Sequence, residues 1–173
     1  MSDVAAITVL VFVGALLQAT LFSTLHVLGG TPDFLLLVLI AIALLRGSVT
    51  GAIAGFGGGL LLDVLTLDTL GVTALVLALA GYWTGRYGET TGRDRAHAPI
   101  LSVVVVTILV MLLGFFLHFL IGEEVSARRA LVESMLAGLG LNLLLGAPVF
   151  AVVRSLLRVT RPGERVLEVK LLG

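Results

Sequence analysis

The chain has no cysteine in its 173 residues, which excludes disulfides, thiolate metal sites and cysteine nucleophiles. Charge is nearly as scarce. Asp, Glu, Lys and Arg make up 13% of the residues and balance to a net charge of zero, too few for the surface of a soluble domain of this length. Enzyme signatures are missing too: there is no G-x-S-x-G elbow, no HExxH pair and no P-loop lysine, and His26, His97 and His118 lack ligand spacing. No catalytic, metal or cofactor site is therefore expected, and nothing points to nucleic acid. The first apolar run lacks a basic leading region and is too long for a signal core, so it reads as a retained helix.

What the chain has in abundance is apolar sequence. Hydrophobic residues reach 58% and mean hydropathy is +1.15, the composition of an all-α integral membrane protein. Apolar runs place spans at about 4–26, 32–45, 48–66, 70–86, 99–121 and 131–157. This predicts a compact bundle of six transmembrane helices over 1–160, followed by a short cytoplasmic tail over 161–173. The second run is short for a full crossing, and a re-entrant hairpin is the alternative there. Thr31, Pro32 and Asp33 read as its helix start, with a capping hydroxyl, a first-turn proline and a carboxylate at the positive dipole end. Tyr87–Ala98 reads as a solvated linker, with Pro99 starting the next helix. The tail after Arg161 reads as a frayed terminus.

Basic residues set the orientation. With the N-terminus inside, nine of them fall on inside segments and two, Arg128 and Arg129, on an outside loop beside Glu123, Glu124 and Glu133. The positive-inside rule then puts both termini in the cytoplasm.

Glycine carries the sharpest pattern. Gly47, Gly51, Gly55 and Gly59 recur at intervals of four, and the next step of the ladder is Asp63. Interior glycines cost a soluble helix about 1 kcal/mol each relative to alanine, so the ladder suits close helix contact in a bilayer. Gly81 with Gly85 is a shorter version, and Ser134, Gly138, Asn142 and Gly146 are a second one. The Gly57, Gly58, Gly59 run lies inside an apolar helix and is not a phosphate loop. Asp63 is a functional candidate because a carboxyl in a spanning helix is costly; its plain alternative is a hydrated helix end with Asp68. Gln18, Asp33, His118 and Asn142 are the other intramembrane polar residues, with Gln18 and Asn142 read as interhelical hydrogen-bond donors and acceptors. Trp83, Tyr82 and Tyr87 lie toward the cytoplasmic end, whereas Phe115, Phe116 and Phe119 beside His118 read as lipid-facing or core residues, with an outer pocket as the alternative.

Taken in order, Gln18, Thr31-Pro32-Asp33, Arg46-Gly47, Gly51, Gly55, Gly59-Leu60-Leu61-Leu62-Asp63, Gly71, Ala74-Leu75, Gly81-Tyr82 and Gly85 resemble the rod shape-determining protein MreD family. The resemblance implies a non-enzymatic scaffold of the bacterial elongation machinery in the cytoplasmic membrane, beside MreC, the MreB filament, RodA and its penicillin-binding protein. In its six-helix arrangement that family resembles the substrate-binding components of energy-coupling-factor vitamin transporters, which supplies the alternative function. On this reading the ladder from Gly47 to Asp63 packs within the bundle or against the membrane helix of an MreC-like partner; whether the chain forms a homo-oligomer stays open.

Overall fold

The computed structural model describes residues 3–22, 30–91, 98–121 and 128–157. Six helices account for nearly all of them: α1 (Asp3–Leu17), α2 (Phe34–Arg46), α3 (Ser48–Thr66), α4 (Val72–Thr91), α5 (Ala98–Ile121) and α6 (Arg128–Leu156). A π-helical turn, Gln18–Phe22, extends α1. The protein is an all-α membrane protein. Four helices are long and apolar enough to cross a bilayer, namely α1 with its π turn, α3, α5 and α6. The other two depart from the six-span expectation in different ways: α2 has 13 residues, and α4 has 20 but ends on the polar turns Arg86 to Thr91. Residues 161–173, His26 and His97 lie outside the described residues, as do the side chains of His118 and of residues 128–135.

The short helix is the centre of the molecule. All of Leu35 to Leu45 are buried, and α2 packs on each of the other five helices. A helix of this length is about 20 Å long against a hydrocarbon layer of about 30 Å. It does not need to match the layer, because no lipid touches it. Its helical neighbours carry the exposed apolar residues instead, among them Phe12, Ile53, Phe56, Leu112, Phe116 and Leu144. Since lipid is as apolar as leucine, burying α2 gains little hydrophobic free energy, and close packing and polar contacts must hold it.

The approach to α2 is not helical. Gly30 lies against Ala137 and Gly138 of α6, where an added Cβ would come 2.5 Å from the Gly138 nitrogen, and the chain then descends past Thr31 to Asp33 at the level of Asn142. From Asn142, α6 continues for about 21 Å to Arg128, so α2 begins well inside the bundle. Irregular backbone at this depth is stable only when buried in protein, and Pro32 is buried. The cap also differs from expectation. It is the Asp33 carboxylate, accepting from the Leu36 N–H at 3.0 Å, whereas Thr31 lies exposed outside the helix.

Helices α3 and α4 form the closest pair. A methyl group on Gly51 would strike the Gly81 carbonyl, and one on Gly81 would strike that of Gly51. One on Gly55 would come 2.6 Å from the Leu77 carbonyl carbon, and one on Gly59 2.5 Å from the Ala74 Cα. The backbones therefore touch along the whole hairpin. Gly85 meets Gly47 and Ser48 at the far end. Gly47 shares in this contact with Gly85 but is not helical: it is the single residue between α2 and α3, with φ 97°, a conformation that favours glycine. The triple glycine splits three ways. Gly59 faces α4, Gly58 faces Val11 and Leu35, and Gly57 has open space around it.

Replacing Gly51 and Gly55 together by leucine is expected to destroy the α3–α4 contact, at a cost of more than about 3 kcal/mol. Gly57→Ala should be neutral or stabilising by up to about 1 kcal/mol. Thermal unfolding of the detergent-solubilised variants checks both, and equal loss of stability in both would refute the assigned packing.

Candidate functional site

Polar side chains gather at the two ends of α2. At its N-terminus, Gln18, the first residue of the π turn that extends α1, places Oε1 2.7 Å from the Phe34 N–H and 3.4 Å from that of Leu35, while its Nε2 donates to the Pro32 carbonyl at 3.3 Å. Asn142 of α6 accepts from the Asp33 N–H at 2.7 Å and donates to the Thr107 hydroxyl of α5 at 3.3 Å. Asp33 caps its own helix, and the Leu37 N–H bonds the Asp33 carbonyl. Every N–H from Asp33 to Leu37 thus has an acceptor. In a soluble protein, water would fill some of these positions; in a bundle interior each orphan would cost about 1–3 kcal/mol. The π turn begins at Gln18, so the change of winding starts at the residue that makes this contact.

The other end of α2 is tied by one residue. Arg46 Nη1 binds the Asp3 carboxylate at 2.6 Å, and Nη2 donates to the Leu157 carbonyl at 3.0 Å. A cation here suits the negative ends of both α2 and α6, and Asp3 suits the positive start of α1. Helices α1 and α6 meet chiefly through α2, clasping it at both ends.

Two carboxylates close the α3–α4 hairpin in a crossed manner. Asp63, fully buried near the end of α3, accepts from the Gly71 N–H at 2.8 Å and from the Ala74 N–H at 3.4 Å at the start of α4. Its backbone carbonyl accepts the N–H of Leu67, whose left-handed conformation ends α3. Asp63 Oδ1 is buried without a partner among the described residues. Glu89, near the end of α4, accepts from the Ser48 N–H at 2.8 Å and the Ser48 hydroxyl at 3.1 Å at the start of α3. These bonds to Ser48 hold the Glu89 carboxyl below its ordinary value, helped by Arg86 at 3.5 Å. The contact also explains why Tyr87 to Thr91 are helical here rather than part of a linker.

The structure therefore brings Gln18, Asp33 and Asn142 together, places Asp63 apart from them in the hairpin, and leaves Phe115, Phe116 and Phe119 facing outward. In the second glycine ladder, Gly138, Asn142 and Gly146 all point inward, Gly146 onto Val103. Thr107, Glu89 and the tie through Arg46 belong to these contacts too, but no local pattern marks them. Thr107 is one hydroxyl in an apolar run, and Glu89 and Ser48 are 41 residues apart, so only the fold relates them.

Side chains that satisfy helix ends and bind helix to helix define a polytopic membrane protein in which interior polarity serves architecture. Its family is shown by the sequence as a whole: a model described as rod shape-determining protein MreD matches residues 3–160, and the chain belongs to the MreD family. Comparison with curated proteins and with solved structures found no match.

Gln18→Leu and Asn142→Leu each strip acceptors from buried N–H groups and are expected to cost about 1–3 kcal/mol, with strong coupling in the double variant because both act on one helix end. A double-mutant cycle by chemical denaturation in detergent checks this; additive losses would contradict a shared node. Because the folded-state pKa of Glu89 is depressed, its stabilisation is complete above the ordinary 4.5 and is lost as pH falls through the folded value. Glu89→Gln should flatten stability against pH below about 4.5 and leave it unchanged in slope above.

Proposed function

We propose that this protein is a non-enzymatic scaffold of the cell-elongation complex in the bacterial cytoplasmic membrane, with both termini cytoplasmic. It links an MreC-like membrane protein and the wall synthase of RodA and its penicillin-binding protein, and through them the MreB filament. Membership in a rod shape-determining family supports a role in cell shape. The observation that carries the scaffold reading is the use of the interior polar groups. Gln18, Asp33, Arg46, Glu89 and Asn142 all bond to helix ends, as does Asp63 through one carboxylate oxygen. A rigid body with such an interior offers partners its outer surface.

The internal geometry also narrows where a partner meets it. The face from Gly51 to Asp63 is filled by α4, so an MreC-like helix has no access to it while the bundle is intact. The exposed faces of α1, α5 and α6 and the outer sides of α3 and α4 are what a partner reaches.

Crosslinking in living cells, followed by purification in mild detergent and mass spectrometry, tests the assignment. Recovery of MreC, RodA or a penicillin-binding protein is the expected result. Recovery of an energy-coupling ATPase module in their place would replace the scaffold with a small-molecule transporter component.

A further inference from the structure

The outer face of α4 is graded along its length. Leu75 and Leu79 are exposed, then Tyr82 and Trp83, then Arg86 one turn on. The order is apolar, aromatic, cationic, which is the order of the layers from the hydrocarbon core to the headgroups. Trp83 is 60% exposed, and its indole stands edge-on to the Tyr82 ring with centroids 5.8 Å apart at 80°. The Arg86 side chain is 59% exposed. Among the described residues its one acidic neighbour in contact, Glu89, is turned to the N-terminus of α3, where the Ser48 N–H and hydroxyl donate to its oxygens and the positive helix end offsets its charge. The 3.5 Å contact from Arg86 to Glu89 is the longer one, so the guanidinium keeps donors and charge for an outside anion.

We propose that Trp83 and Arg86 form a binding site for the phosphate headgroup of an anionic phospholipid, with the guanidinium on the phosphate and the indole against the glycerol backbone and upper acyl chains. A guanidinium matches phosphate geometry with paired N–H donors, and an indole rests stably at the boundary between apolar and wet layers. The site fixes the height of the Arg46 end of the bundle in the membrane. Through Glu89 it lies next to the cap that starts α3.

Trp83 is the single tryptophan of the chain, so its fluorescence reports on this site alone. The full-length protein is reconstituted into phosphatidylcholine vesicles containing a minor fraction of phosphatidylglycerol, with one or the other lipid brominated near the headgroup. Brominated phosphatidylglycerol is expected to quench Trp83 about fivefold more than its mole fraction predicts, the enrichment one surface cation confers on an anionic lipid. Arg86→Gln should bring quenching to parity, and Arg86→Lys, which keeps the charge but loses the paired donors, should lower the preference without abolishing it. Parity in the unmodified protein, or an undiminished preference in Arg86→Gln, would overturn the site. Added inorganic phosphate is expected to leave the preference intact; its abolition would reassign the site to a soluble phosphate.

Discussion

A helix buried on all sides must find partners for the N–H groups at its start and for any charged side chain at its end, and in a bilayer it must find them within the protein. That requirement at α2 organises the molecule. Gln18 of α1, Asn142 of α6 and the Asp33 carboxylate answer it at one end, and Arg46, with Asp3 of α1 and Leu157 of α6, ties the other. The helices that supply these groups are thereby fixed around α2. Packing alone would not do this, since lipid competes on nearly equal terms for every leucine.

The α3–α4 hairpin solves the same problem by a different route. Its interior is bare backbone against bare backbone, which dispersion favours only when the fit is close, and its ends are locked by carboxylates offered across the pair. Asp63 reaches the start of α4 and Glu89 the start of α3. A carboxylate at a helix N-terminus meets both the orphan N–H groups and the positive dipole end, so each acid stabilises the helix it does not belong to. Glycine gives these helices poor intrinsic stability, about 1 kcal/mol per residue below alanine, and contact along the full length offsets it.

Much of this was legible in the sequence, because membrane helices announce themselves by apolar length and glycine by its spacing. The ladder of Gly51, Gly55 and Gly59 does lie on one face, toward α4. Gly47 precedes the apolar span, but its fourfold spacing alone could not show that it is the one-residue joint between two helices. The shortness of α2 was plain, but burial on every side was not, because an all-apolar run reads alike whether lipid or protein surrounds it. Asp33 rather than Thr31 as the cap was a matter of two residues. The joining of Gln18, Asp33 and Asn142 lay beyond any local pattern, as partners so distant in the chain have no spacing to read.

The distances along the chain have a consequence for how the protein is made. Asn142 lies 109 residues beyond Asp33, and Leu157 lies 111 beyond Arg46. Synthesis proceeds from α1 to α6, so α2 enters the membrane long before the helix that completes both of its ends exists. Until α6 arrives, the Asp33 N–H and one amino group of Arg46 lack the partners they have in the finished fold. Assembly of the centre is thus postponed to the last helix, and a nascent chain stalled before α6 holds its innermost segment only half secured.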